Sequence, residues 1–300
     1  MSRSTSLAAT LAVSATDLLG ESVFWSVPLA ELFWIDGCAP AIHRYHPPSQ
    51  QHRLIPLAGG PVGMIAPTTD PNVLVLTDAD GVSLIDLSTG TRRSIAHPEQ
   101  AREAIAYNDG KTDITGRLWI GTYDTSETEP RGCLWCLEHR QPVRLAESGI
   151  VVTNGPAFSP DGRTLYLSDS TRRRILAFDL IEGHLRGRRV FAQWDEAQGL
   201  PDGLTVDEEG GVWCACWDGA SVVRYSPAGE HLSTITLPAR RVTSVAFGGA
   251  ALDTLYITTA RYGLIDEDLA RTPLAGCLFS ATPGVRGLAA TALRLPFESG

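Results

Sequence analysis

Short apolar runs alternate along the chain with polar, glycine-bearing and proline-bearing punctuation, and the runs recur. Residues 32–36, 73–77, 118–122, 165–169, 212–216 and 255–259 each have strand length and follow an acidic or glycine-containing turn. With Phe33, Leu74, Trp119, Tyr166, Trp213 and Tyr256 as equivalent positions, the intervals are 41, 45, 47, 47 and 43 residues. A second short strand follows each run, at 42–45, 83–86, 133–136, 175–178, 222–225 and 276–279. One sheet of four such strands cannot cover both of its faces, whereas several stacked radially can. The pattern predicts an all-β chain, a six-bladed β-propeller of four-stranded antiparallel blades, in preference to a β-sandwich with fortuitous spacing. No helix-period segment of useful length competes.

The repeat runs from about residue 20 to the end, so residues 1–300 are read as a single domain, a length that closed all-β folds often reach. Residues 1–15 are read as a frayed tail or a closing outer strand. Met1-Ser2-Arg3 and the apolar stretch at 7–13 have the outline of a leader, but Thr10 interrupts that stretch. The net charge of −9, with no long basic run, argues against nucleic acid as a partner. No run reaches the length of a membrane span. Six cysteines do not form a staple framework: Cys133 and Cys136 fall on opposite faces of a strand, and Cys214 and Cys216 are too close along one strand to bridge without strain. Buried free thiols in a reducing, cytoplasmic compartment are the expectation, in a monomer or homodimer.

The repeat phase then picks out chemistry. Glu21 lies 12 residues before Phe33, Asn108 lies 11 before Trp119, Asn154 lies 12 before Tyr166 and Asp202 lies 11 before Trp213. The second repeat has only Gly63 near this place, and the sixth offers Thr243-Ser244. Equivalent positions in a propeller share a radius and a height, so these four side chains should gather at one mouth of the central channel. Four oxygen donors without a nearby histidine or thiol suit a hard divalent cation, and water or substrate must complete its shell. Asn154-Gly155 and Asp202-Gly203 are also good turn dipeptides, and it is the shared phase that sets them apart. Other candidates are weaker. Cys133-x-x-Cys136 lacks a second pair, and the seven histidines fall in outer strands or turns. Residues 109–116 lack calcium-loop spacing. Lys111, the only lysine in the chain, could pair with Asp109 or orient a ligand.

At these residues the chain resembles the senescence-marker-protein, gluconolactonase and regucalcin-like family. The carriers are Leu19-Gly20-Glu21-Ser22, residues 32–36, Ile42-His43-Arg44-Tyr45, Asn108-Asp109-Gly110-Lys111 through Arg117, Asn154-Gly155 through Gly162, Pro201-Asp202-Gly203, residues 241–249 and residues 283–288. The resemblance implies a six-bladed propeller and a divalent cation on Glu21, Asn154 and Asp202. Calcium or zinc is expected there, with manganese or magnesium as alternatives. It implies hydrolysis of a sugar lactone with Asp202 as acid and base, and with Asn108 donating to substrate or holding a metal-bound water. One departure stands out: many sugar-lactone members have arginine two residues before the asparagine of the Asn-Asp-Gly motif, where this chain has Ala106. The specificity pocket is therefore expected to differ, with Tyr123, Asp124, Arg131, Trp217 and Arg261 as its walls. Hydrolysis of another ester or a phosphotriester, and a non-catalytic calcium-binding propeller, remain as alternative readings.

Overall fold

The computed structural model describes residues 6–295. Six sheets radiate from a central channel as a six-bladed β-propeller. The innermost strands are Gly20–Ser26, Met64–Pro67, Ile105–Thr112, Thr153–Phe158, Leu200–Val206 and Arg241–Gly248. All six aromatic or leucine anchors fall on the second strand of a blade: Glu31–Asp36, Val73–Asp78, Leu118–Asp124, Thr164–Asp169, Val212–Trp217 and Thr254–Ala260. These strands read as near-continuous apolar runs because both faces of each sheet are covered by neighbouring blades. An outermost strand such as Gln51–Pro56 is largely exposed and correspondingly polar.

The core is a ring of inter-blade layers. Phe33 and Ile35 pack on Leu74 and Leu76 between the first two blades. On the far side of the ring, Trp213 and Val222 meet Val245 and Phe247 between the last two. Trp34 and Trp25 close the circle against Tyr256 and Leu278.

Thr10–Val13 is the outermost strand of the sixth blade, antiparallel to Leu278–Ala281, although it comes from the other end of the sequence. Ser6–Ala8 runs parallel to His231–Thr236 as a fifth strand on the fifth blade. The chain start thus holds two blades together. The leader-like residues Met1-Ser2-Arg3 lie outside the described residues. The one short α-helix among the described residues, Asp266–Arg271, sits in a loop of the sixth blade.

The C-terminal segment crosses one end of the channel. Gly287 N donates to Leu252 O at 2.8 Å, Thr112 Oγ1 donates to Thr291 O, and Leu293 N donates to Pro67 O at 2.9 Å. Residues 288–291 cover a small cavity of about 100 Å³ that Ser22, Asp109 and Lys111 also line. The other end of the channel stays open.

Candidate active site

In five of the six blades, the register between first and second strand breaks near the channel. The breaks lie between Glu21 and Phe24, Tyr107 and Gly110, Asn154 and Ala157, Pro201 and Leu204, and Val242 and Val245. The second blade, which lacks a polar residue at this phase, pairs without a break. Such a bulge turns the strand and re-aims its side chains. Glu21, Asn108, Asn154 and Asp202 all sit at these breaks.

Polar contacts at and beside these bulges tie neighbouring blades together. Ser22 Oγ donates to Ile65 O at 2.9 Å, and Asn108 Nδ2 donates to Thr153 O at 2.7 Å and to Asn154 Oδ1 at 2.8 Å. Gly155 N donates to Asp109 Oδ2 at 2.9 Å, Ser168 Oγ to Asp202 O at 2.8 Å, and Thr243 Oγ1 to Gly20 O. At Gly155 the backbone is left-handed (φ 42°), and an added Cβ would lie 2.3 Å from Leu204 N, so a side chain would push two blades apart.

The four residues open into a cleft of about 730 Å³ at the uncovered channel mouth. Asp202 and Asn154 are buried, while Glu21 and Asn108 are partly exposed. Asn154 Nδ2 donates to Ser170 Oγ at 3.0 Å, which fixes its amide with Oδ1 on the Asn108 side. Glu21 accepts from Ser22 N at 3.0 Å. Asp202 Oδ1 is buried with no hydrogen-bond partner among the described residues.

The electrostatics are unfavourable for the protein alone. Burial pushes the Glu21 carboxyl well above its ordinary value, and the charge of Asp109 adds to this. Asp202 is also raised well above its ordinary value, by burial first and then by Glu21 and Asp109. Burial raises Asp109 too, against the pull of Lys111, whose ammonium is itself lowered by burial. The charges of Glu21 and Asp109 thus work against an ionised Asp202, and the nearby Lys111 ammonium donates to Leu204 O at 2.6 Å. No three His, Cys, Asp or Glu side chains gather as a metal-holding group among the described residues. The set that fits a hard cation is Glu21, Asp202 and the amide oxygen of Asn154. The unpartnered Asp202 Oδ1 is the atom that most needs such a ligand.

The family described as SMP-30/Gluconolactonase/LRE-like region matches residues 19–261. The chain belongs to this family. It is 33% identical over 281 residues to the 6-deoxy-6-sulfogluconolactonase of Pseudomonas putida, covering 92% of this chain and 95% of that protein. It is 32% identical to regucalcin of Danio rerio, over 90% of this chain and 92% of the relative. The crystal structure of a calcium-binding regucalcin from Agrobacterium tumefaciens superposes with a TM-score of 0.92 at 26% identity, covering 98% of this chain and 100% of that one.

Against this family background, the structure divides the residues expected as pocket walls. Tyr123 and Trp217 line the cleft together with Ala106. Asp124, Arg131 and Arg261 do not. Asp124 is buried and its carboxylate is consumed by Ser126 Oγ at 2.5 Å and Arg131 Nη1 at 2.7 Å, so the two expected wall residues neutralise each other in a loop. Arg261 is anchored through its backbone, donating to Asp17 O and Leu18 O. Four charged or imidazole-bearing cleft residues escaped the sequence reading, Asp78, His97, Glu99 and Arg102, while Glu127 belongs to the segment 122–127 in which a polar substrate contact was expected. His97, Glu99, Arg102 and Glu127 come from loops with no fixed phase in the repeat, whereas Asp78 closes the second strand of its blade as Asp36 and Asp169 close theirs. His97 lies in the loop after an outermost strand, as expected of the histidines, and that loop reaches the cleft.

Proposed function

We propose that this chain hydrolyses a sugar lactone in the open cleft, with one divalent cation held by Glu21, Asn154 and Asp202, and with Asp202 as general acid and base. The observation that carries this reading is Asp202 Oδ1, buried and unpartnered, on a carboxyl that burial and the charges of Glu21 and Asp109 hold well above its ordinary value. A protein retains so costly an arrangement where a ligand relieves it. Relatives named as lactonases supply the reaction class. An all-oxygen donor set favours calcium among the candidate cations. Such a cation, when bound, supplies a Lewis acid for the lactone carbonyl and acidifies water.

The chain's own groups do the rest. Asp202 takes a proton from the attacking water and returns it to the ring oxygen as the ester opens. Asn108 contributes as an acceptor rather than a donor: its Nδ2 is spent on Thr153 and Asn154, which leaves Oδ1 for a substrate hydroxyl. Tyr123 and Trp217 line the cleft and offer aromatic surface to a sugar, with the Arg241 guanidinium over the Trp217 ring at 4.8 Å. All six cysteines are unpaired and five are buried, which supports a reducing compartment. No helix among the described residues is long and apolar enough to cross a membrane.

The test is acid release from a panel of aldonolactones, aryl esters and phosphotriesters. Metal-stripped protein is used, with calcium, zinc, manganese or magnesium restored singly. Turnover of a lactone that disappears on stripping and returns with one cation is expected. Silence on every lactone, with cation binding confirmed by calorimetry, rejects the lactonase reading.

A further inference from the structure

The charge of the substrate can be read from the cleft, and this step rests on the lactonase reading above. The charged side chains lining it are Glu21, Asp78, Glu99, Glu127 and Asp202 against a single guanidinium, Arg102. That guanidinium is committed. Its Nη1 lies 3.0 and 2.8 Å from the two carboxylate oxygens of Glu99, and its Nη2 donates to Arg131 O. Glu99 is itself only 3% exposed and also accepts from Thr122 and Trp135, so the pair is fixed in place. Asp78 is paired in the same way with Arg92 at 2.7 Å.

A divalent cation would offset Glu21 and Asp202. Glu127 is then left over, with no cation at ion-pair distance among the described residues. The cleft is negative whether or not the cation is present.

The backbone of Glu127 is also held in place, with its exposed side chain in the cleft lining. Its backbone is left-handed (φ 56°), an unfavourable conformation for a residue with a Cβ. Its N donates to Asp124 O at 2.7 Å, Thr125 N donates to Ala104 O at 2.9 Å, and the Asp124–Arg131 pair locks the turn from outside. Strain of this kind persists where the surroundings over-determine it, and it clusters at functional sites.

We propose that Glu127 sets the charge class of the substrate, so that the cleft accepts neutral polyhydroxy lactones and turns away those bearing a sulfonate, a phosphate or a free carboxylate. An anionic sugar needs an uncommitted cation in the wall, and the lining arginine is not one. The chain therefore parts company in specificity with its Pseudomonas putida relative, whose name specifies a sulfonated lactone.

The experiment compares D-glucono-1,5-lactone with its 6-phosphate on cation-loaded wild type, E127N and E127K. Asparagine tolerates the left-handed turn, so E127N removes the charge while keeping the loop. In parallel, calorimetric titration with D-glucitol and D-glucitol 6-phosphate reads selection without turnover. Wild type is expected to favour the neutral member by about tenfold or more in both readouts. E127K should shift the ratio toward the anion by about tenfold, with E127N between. Equal handling of the phosphorylated compounds by wild type, or a ratio that E127K leaves within about twofold, overturns the proposal. If no lactone is hydrolysed yet the binding preference follows the charge at position 127, the lactonase reading fails and the charge selection stands.

Discussion

Asp202 is a residue whose burial works against the stability of the fold. It is 5% exposed, one carboxylate oxygen has no partner, and Glu21 and Asp109 press on it with like charge. Neutralising it removes that penalty and the proposed chemistry together. Asp202→Asn is expected to stabilise the metal-stripped protein by about 1 kcal/mol or more. The same change should lower kcat/KM on the lactone substrate by about 10²- to 10⁴-fold and reduce the stabilisation by added cation. Urea unfolding with and without cation, alongside initial rates, checks all three; wild-type turnover in a folded Asp202→Asn protein defeats the assignment of Asp202. Glu21, Asn108, Asn154 and Asp202 were legible because the repeat fixes their radius and height. Asp109 was not legible: beside Gly110 it reads as a turn, and only the fold shows its carboxylate bonded to Gly155 of the next blade. Asp124 and Arg131 misled because sequence proximity to the cleft does not reveal that two opposite charges will find each other first.

Two devices recur at the scale of the blade. One is the bulge, which the sequence showed only as a one-residue unevenness: Glu21 and Asn154 stand 12 residues before their anchors, Asn108 and Asp202 stand 11. Apolar alternation resumes beyond the break, so nothing in the hydrophobic pattern marks it. The other is a buried aspartate beneath the tryptophan of the second strand. Trp34 Nε1 donates to Asp17 at 2.8 Å, Trp119 Nε1 to Asp113 at 2.9 Å and Trp213 Nε1 to Asp207 at 2.8 Å. Asp207 also accepts from Gly211 N at 2.8 Å and Arg224 Nε at 2.8 Å, which ties the hairpin turn to the second and third strands of its blade. Trp119 and Trp213 were visible as anchors, and Trp34 stands next to one, whereas their acceptors lie in turns or, for Asp17, in the segment before the first strand, where aspartate is common for local reasons. Removing one member of such a buried charged cluster leaves the others unsatisfied. Asp207→Ala is therefore expected to lose about 3 kcal/mol or more in denaturant unfolding, with wild-type turnover per folded molecule. A loss below about 1 kcal/mol would show that the clasp adds little to the blade.

For the molecule as a whole, stability depends on how the ring is closed and on what the channel mouth holds. Thr10–Val13 completes the sixth blade and buries Val13 against the first. Deleting residues 1–13 should thus lower Tm by several degrees, about 2–4 °C for each kcal/mol lost. The channel mouth adds a dependence on pH whose sign follows from the carboxylates. Glu21 and Asp202 have folded pKa values well above their ordinary 4.5 and 3.8. Below the ordinary values both groups are protonated in folded and unfolded chains, and no penalty exists. As pH rises through and above them, the unfolded chain releases protons that the folded chain retains, so these two groups lower the stability of the folded state. Asp113 has the opposite sign: burial raises it, but hydrogen bonds from Thr115, Trp119 and Arg117 outweigh that and hold it below 3.8, so its stabilising effect is lost only in stronger acid. Between about pH 5 and 7.5 the carboxylates of the mouth should therefore set the trend, and metal-stripped protein should melt lower at 7.5 than at 5. A cation that binds the folded mouth competes with protons there, and at 100 times its Kd it stabilises by about 2.7 kcal/mol. Calorimetric scans of stripped protein with and without calcium at both pH values are expected to show a larger rise in Tm at 7.5. A rise that is equal at the two pH values, or larger at pH 5, would mean that the cation is not held by Glu21 and Asp202.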